Sequence, residues 1–126
     1  MKGCVTLKKN TLVTPVVKWV GGKRQLLGEI NQLIPKKIST YVEPFLGGGA
    51  VLFDLQPNKA VVNDYNEELI NVYNVIKDEP EKLIEKLKFY KAENNEAFFY
   101  EVRALDRTES YKTMDNVEKA ARILYL

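Results

Sequence analysis

The sequence predicts an α/β fold in which a strand, a glycine-rich loop, a short helix and a second strand precede a run of helices. In "VEPFLGGGAVLFD" (Val42–Asp54), three consecutive glycines follow a short apolar segment, and "KAVVND" supplies a second strand. From Asn66 onward, apolar residues recur at helical spacing. A strand–loop–helix–strand order is typical of the crossover unit of a parallel sheet, in which ligands bind beyond the carboxyl ends of the strands.

The composition is that of one globular unit. The 126 residues are 45% apolar and 29% charged, with a formal net charge of +2, so any nucleic-acid contact would come from local clusters. The single cysteine, Cys4, excludes an internal disulfide, and the lack of histidine excludes a Cys/His metal cluster and a histidine-based triad. No apolar run is long enough to span a bilayer, and the start of the chain lacks the apolar core of a signal peptide. We therefore expect a cytoplasmic protein without a metal or a membrane partner.

The N-terminal elements follow one another in order. "PVVKWVGGK" is a short extended segment that ends in a Gly-Gly turn, and "KRQLLGEINQLIP" is a helix whose end is marked by Pro35. "TYVEP" is a strand candidate, and "AVLFDL" is a short buried helix that stops near Pro57.

The remainder of the sequence is helical in pattern. A last helix is predicted to begin at Asp115, with Glu118 in the capping-box position. The charged run "KDEPEKLIEKLK" is expected to form a solvated face with Glu–Lys pairs. One group of aromatic residues could stack on DNA bases, but its helical spacing favours the core: Tyr90, Phe98, Phe99 and Tyr100.

The chain is expected to be a fragment. "EKAARILYL" stops in an apolar helical run without a Gly, Asn or Pro cap. Two strands are also too few for a stable doubly wound sheet, which needs covering on both faces. Exposed sheet edges and apolar patches would then favour self-association of the chain.

Gly47–Gly49 are costly to order, because glycine loses more backbone freedom on folding than any other residue. They could form a tight structural turn, or a ligand could lie against bare backbone. Glu43 ends the first strand, and Asp64 follows the second at about the 20-residue spacing of ribose-binding acids in dinucleotide folds. A carboxylate there would accept both ribose hydroxyls in charge-assisted hydrogen bonds. Alternatively, Asp64 caps the helix that begins near Asn66.

The charge of this strand end indicates the kind of ligand. "EPFLGGG" is not G-x-G-x-x-G, which weakens the alternative of a nicotinamide-dependent dinucleotide fold. Glu43 would also repel a pyrophosphate. S-adenosylmethionine carries an adenosine, an ammonium and a sulfonium but no phosphate, and it suits the site better.

Three blocks, "KWVGGKRQLL", "VEPFLGGGAV" and "VVNDYNEELINVY", resemble the N-terminal part of the Dam-like DNA adenine N6-methyltransferases, including the GATC-specific modification methylases of restriction systems. The blocks occur in the family's order, and the resemblance extends to "AARILYL". It implies that residues 1–80 form the N-terminal part of a Rossmann-like domain that binds S-adenosylmethionine. Residues 81–126 would begin a helical target-recognition domain for duplex DNA.

The resemblance also implies roles for single residues. Trp19 would pack beside the methionine moiety, Lys23 would face the cofactor and the active site, and Asp64 would hold the ribose hydroxyls. Lys18 would read a guanine in GATC-specific members, and Arg24 would contact DNA beside it. The implied cofactor-binding set is Trp19, Lys23, Glu43, Phe45, Gly47, Gly49 and Asp64. Without the resemblance, Trp19 could be a core residue, and Lys23 and Arg24 could begin a solvated helix face.

The family's catalytic motif has no match in this chain. The exocyclic amine of adenine is a poor nucleophile, and the family uses an Asp-Pro-Pro-Tyr motif to accept its hydrogens and to stack on the flipped base. All prolines here are isolated, so we assign no catalytic residue. We expect the complete protein to be a methyltransferase of a restriction–modification system, and this chain alone to be inactive. The alternative is a non-catalytic cofactor- or DNA-binding module that another chain completes.

Overall fold

The computed structural model describes residues 9–126. The chain divides into two compact units, Met1–Asn63 and Asp64–Leu126. Cys4 lies outside the described residues, so the expectation about disulfides is a statement about the sequence alone.

The first unit contains short elements joined by long connections. They are a 3₁₀ turn at Lys23–Leu26, helix α1 at Leu27–Leu33, strand β1 at Tyr41–Glu43, helix α2 at Ala50–Leu55 and strand β2 at Ala60–Val62. The predicted helix, strand, helix and strand are therefore confirmed, although the first helix opens as a 3₁₀ turn. "PVVKWV" forms no strand; Val16 and Val17 lie in a bend, a turn begins at Val20, and the other residues are irregular.

Strands β1 and β2 pair in parallel, as the strand–loop–helix–strand order predicted. Val42 pairs with Val61 in the register, and both side chains are exposed on the same face of the sheet. Glu43 points to the opposite face and is buried, because successive side chains of a strand alternate. The core of this unit consists of Val17, Leu46, Ala50 and Val51. A parallel pair of strands is compatible with part of a methyltransferase domain, and the Rossmann-like arrangement stays a prediction.

The second unit is helical. Its elements are α3 at Glu67–Asp78, α4 at Pro80–Glu93, α5 at Glu96–Ala104, a 3₁₀ turn at Leu105–Arg107, α6 at Ser110–Thr113 and α7 at Asn116–Tyr125. Three of these helices begin with a side-chain cap, in which Asn66, Asn95 or Asp115 accepts a hydrogen bond from the backbone N–H three residues later. Of the predicted capping box, the half in which Asp115 accepts from the Glu118 N–H is confirmed at 2.9 Å, whereas the Glu118 carboxylate binds Lys86.

The aromatic residues of the second unit pack on one another. Tyr90 lies edge-on to Phe98 and Tyr125, with ring centroids 5.5 and 5.2 Å away. The preference for a core role is therefore confirmed for Tyr90 and Phe98, whereas Tyr100 is 57% exposed. The predicted charged face is also confirmed in part, since Lys82 pairs with Glu79.

Arg122 is the buried charged residue of α7, at 4% exposure. Its Nε donates to the Val102 carbonyl at 3.0 Å, and its Nη2 donates to the Arg103 carbonyl at 2.8 Å. The same guanidinium lies 3.1 Å from a carboxylate oxygen of Asp106. Arg122 therefore supplies donors to two carbonyls at the end of α5, of which the Val102 carbonyl also accepts from the Leu105 N–H.

Candidate functional site

The glycine loop begins where β1 ends. The parallel ladder continues past the strands, since Asn63 N–H donates to the Glu43 carbonyl and Leu46 N–H donates to the Asn63 carbonyl, each at 2.9 Å. Gly47 and Gly49 then adopt φ values of 54° and 72°. These left-handed conformations disfavour any residue with a Cβ, so both positions need glycine for the backbone alone.

Glycine is required at position 48 for a different reason: another part of the chain lies too close to leave room for a Cβ. A Cβ at Gly48 would lie 2.9 Å from the Val17 carbonyl oxygen and 3.7 Å from the Trp19 Cβ. A Cβ at Gly47 would lie 3.8 Å from the Cδ1 of the Trp19 indole. The group that packs against the bare backbone of Gly48 is therefore the chain's own N-terminal segment. Trp19 is half-buried there, beside the loop.

The carboxylate of Glu43 is the centre of a small polar network. Its Oε1 accepts from Lys23 Nζ at 3.0 Å, and its Oε2 accepts from the Tyr41 hydroxyl at 2.6 Å. Lys23 Nζ also donates to the Phe45 carbonyl at 2.6 Å. Burial of the phenol raises the pKa of Tyr41 above its usual value, and the hydrogen bond to Glu43 and the charge of Glu43 raise it further. Lys23 is thus fixed to both the strand end and the loop.

Glu43 is not the exposed negative charge that the sequence alone indicated, because its side chain is only 8% exposed and is paired with Lys23. The sequence could not show this, because Lys23 lies on the 3₁₀ turn that precedes α1. A binding role for Glu43 remains a prediction, and the structure supports an organising role through Lys23 and Tyr41. Tyr41 was missed, although its place two residues before Glu43 on a strand puts both side chains on one face.

The aromatic and basic residues predicted to bind have different surroundings. Phe45 is 72% exposed at the start of the loop. Lys18 is exposed, next to Trp19. Arg24 is also exposed and borders a groove of about 330 Å³ between the N-terminal segment and α2. The first unit therefore brings Trp19 and Lys23 to the glycine loop.

Asp64 is the first residue of the second unit. Its Oδ1 accepts from the Asn66 N–H at 3.0 Å. The N-cap of α3 is Asn66, whose side chain accepts from Leu69 N–H at 3.0 Å. The alternative in which Asp64 itself caps the helix is therefore wrong. Asp64 instead holds the turn that leads into that cap.

The described residues contain neither a candidate metal site nor a candidate membrane-spanning helix. Within residues 9–126, no three histidine, cysteine or carboxylate side chains lie close enough together to hold a metal ion. No helix in the same range is long and apolar enough to cross a membrane.

Comparison with known proteins gives one consistent family. The model of the D12 class N6 adenine-specific DNA methyltransferases matches residues 19–126. This range contains the Trp19–Lys23 segment, the glycine loop and Asp64, and it confirms the resemblance found in the sequence.

Several curated relatives match most of this chain. A Type II methyltransferase, M1.LlaDCHI, of Lactococcus lactis subsp. cremoris is 49% identical over 121 residues, which are 95% of this chain and 43% of the relative. The Type II methyltransferase M.MjaIII of Methanocaldococcus jannaschii is 36% identical over 90% of this chain and 45% of its own length. The DNA adenine methylase of Escherichia coli K12 is 31% identical over 95% of this chain and 41% of its own length. The chain thus spans less than half the length of these relatives.

Proposed function

The chain belongs to the D12 class N6 adenine-specific DNA methyltransferase family, and from this premise we propose that it supplies the cofactor-binding part of an enzyme that methylates adenine in duplex DNA. The methyl donor is S-adenosylmethionine. Because two relatives are named Type II methyltransferases, a restriction–modification system is the proposed setting.

One observation carries the proposal. The first two blocks that match the family meet around β1, where Trp19 lies against the glycine loop and Lys23 binds Glu43 and the Phe45 carbonyl, and the third block begins in β2, which pairs with β1. Ligands of parallel sheets bind beyond the carboxyl ends of the strands, which is where this loop lies.

The residues present fit S-adenosylmethionine better than a dinucleotide. A pyrophosphate is usually held by the N-terminus of a helix after a G-x-G-x-x-G loop, and here "EPFLGGG" leads into α2, which has only six residues. Lys23, the cation that contacts the start of the loop, is already paired with Glu43. An uncharged adenosine with a methionine tail needs no phosphate cradle, and exposed Phe45 and half-buried Trp19 offer it apolar surface.

Each residue has a proposed role in binding and orientation. The sulfonium of the cofactor supplies an electrophilic methyl group for transfer to the adenine amine. Trp19 packs beside the methionine moiety, and Gly47 and Gly49 shape the backbone against which the cofactor lies. Asp64 accepts the ribose hydroxyls through its carboxylate. Lys23 and Tyr41 hold Glu43 and thereby fix the start of the loop.

Two exposed basic residues are proposed to face the DNA. Lys18 reads a base edge, and Arg24 contacts phosphate, since arginine and lysine supply most such contacts. The groups that activate the adenine amine belong to a motif without a match in this sequence, so catalysis is proposed only for the whole protein.

Calorimetric titration with S-adenosylmethionine tests the proposal, with NAD as the competing ligand. We expect S-adenosylmethionine to bind and NAD not to bind. Tight binding of NAD alone would instead favour a dinucleotide fold. In the whole protein, transfer of a labelled methyl group to adenine in duplex DNA distinguishes an enzyme from a non-catalytic module.

Two glycine variants provide a matched pair for the same titration. Gly48→Ala places a Cβ 2.9 Å from the Val17 carbonyl and should push the Trp19 segment from the loop, weakening S-adenosylmethionine by about tenfold or more. Gly28→Ala adds a methyl group in open space on α1 and should leave affinity unchanged while stabilising the helix by up to about 1 kcal/mol. If the two variants bind S-adenosylmethionine with equal affinity, the glycine loop is not part of the binding site.

A further inference from the structure

Gln56 has an unusual backbone conformation. It ends α2 with φ 48° and ψ 56°, and it is the only residue other than glycine with positive φ among residues 9–126. Glycine is the usual residue at such a helix end, because a Cβ is disfavoured in the left-handed region. A glutamine here needs a compensating interaction.

The side-chain amide of Gln56 provides that interaction. Its Oε1 accepts from the Asn10 backbone N–H at 2.9 Å, and its Nε2 donates to the Asn10 carbonyl at 2.8 Å. One side chain therefore satisfies both backbone groups of a residue that is distant in sequence. The same end of α2 also carries Asp54, whose Oδ2 lies 3.8 Å from Lys9 Nζ.

The segment that Gln56 holds leads directly to the glycine loop. Residues 10–22 contain no helix or strand, so ladder hydrogen bonds do not fix their path. At the far end, Lys23 is bound to Glu43 and to the Phe45 carbonyl. Between these two attachments, Val17 and Trp19 pack against Gly48. Loss of one attachment would leave the segment, and Trp19 with it, held mainly from the other end.

We propose that Gln56 is a positioning residue, which clamps residues 10–22 so that Trp19 stays against the glycine loop. The effect on cofactor binding rests on the proposed function, whereas the effect on Trp19 does not. The amide of this left-handed glutamine makes two hydrogen bonds to one backbone residue, which a glycine could not make.

The first test is Gln56→Gly in the 126-residue chain. Glycine tolerates the left-handed conformation, so the end of α2 is kept and only the two amide hydrogen bonds are lost. Trp19 is the single tryptophan of the chain and therefore reports on its own surroundings. We expect the helical circular-dichroism signal to be retained, the Trp19 emission to shift to longer wavelength and its quenching by acrylamide to increase. The affinity for S-adenosylmethionine should fall roughly threefold to tenfold.

Two further variants serve as control and second test. Gln32→Ala changes an exposed glutamine of α1 and should leave Trp19 emission and cofactor affinity as in the wild type. Gln56→Glu keeps the side-chain length and the bond from the Asn10 N–H but cannot donate to the Asn10 carbonyl, so it should give a smaller change of the same kind. If Gln56→Gly does not fold, the Trp19 emission and quenching of Gln56→Glu test the inference instead.

The outcomes separate the inference from the proposed function. If Trp19 quenching in folded Gln56→Gly equals that of the wild type, the clamp is wrong. If quenching rises while S-adenosylmethionine affinity is unchanged, Gln56 does not position the cofactor site. If the wild type binds no S-adenosylmethionine, the proposed function fails, and the quenching data still decide whether Gln56 holds Trp19.

Discussion

Asp64 joins a structural and a proposed binding role in one side chain. Its Oδ1 accepts from the Asn66 N–H, and its carboxylate is proposed to hold the ribose hydroxyls. A hydrogen bond to a charged group contributes about 1.5–3 kcal/mol. Asp64→Ala should therefore weaken S-adenosylmethionine by roughly tenfold to a hundredfold. Asp64→Asn should weaken the affinity less, because its amide oxygen can still accept one hydrogen bond from the ribose.

The matched control for Asp64 is Asn66→Ala. This change removes the N-cap bond to the Leu69 N–H and should lower the free energy of unfolding by about 1 kcal/mol while leaving cofactor affinity nearly intact. Titration calorimetry beside a melting curve separates the two effects. If Asp64→Ala lowers the melting temperature but leaves the affinity for S-adenosylmethionine unchanged, Asp64 is not part of the cofactor site.

Lys18 is the residue at which base reading can be distinguished from phosphate binding. If it contacts a guanine edge, Lys18→Ala in the whole protein should reduce discrimination between GATC and scrambled duplexes by about 1–3 kcal/mol. A phosphate contact would instead lower affinity equally for both duplexes and reduce its salt dependence. Lys37→Ala, at an exposed lysine after α1, is the control for loss of one positive charge.

Among the elements, α5 depends on a residue from another helix. Arg122 of α7 donates to the Val102 and Arg103 carbonyls and pairs with Asp106. Arg122→Ala would leave the Arg103 carbonyl without this donor and the Val102 carbonyl with only the Leu105 N–H, so the free energy of unfolding in urea should fall by about 1–3 kcal/mol. Arg107→Ala, an exposed change nearby, should cost less than about 0.5 kcal/mol. Similar losses in both variants would contradict the capping role.

The sequence predicted the elements well because their signals are local. Apolar spacing indicated the helices, and Asp115 marked the start of α7 through its own cap. Contacts between distant residues have no such local signal. The Gln56 clamp on Asn10 is one example, since glutamine is not a residue that usually marks a left-handed helix end.

The candidate site was predicted in part for the same reason. The spacing of its blocks located the glycine loop, but it did not show that Val17 and Trp19 fill the space beside Gly48. It also did not show that the Glu43 carboxylate is paired. Lys23 and Tyr41 each donate a hydrogen bond to one of its two oxygens. Spacing shows which residues share a strand face, but not which side chains arrive from another element.

At the scale of the whole molecule, the tyrosines make stability sensitive to high pH. Burial, with the hydrogen bond to Glu68 and its charge, raises the pKa of Tyr111 to about 12. Burial and Glu43 raise the pKa of Tyr41, and burial raises that of Tyr90. Because folding favours the neutral phenol, these contributions are fully present below the unfolded pKa of about 10 and are lost as pH rises through the folded values.

Urea unfolding between pH 8 and pH 12 tests this prediction with Tyr111→Phe. At about pH 8 the variant should be less stable than the wild type by about 1–2 kcal/mol, since Glu68 loses its donor and the ring is partly exposed to solvent. As pH rises past about 10, the wild type should lose this extra stability, so the free energies of unfolding of the two proteins should become equal near pH 12. Tyr100→Phe, at an exposed ring, should follow the wild type throughout. A constant gap between wild type and Tyr111→Phe across this range would show that the Tyr111 proton is not linked to folding.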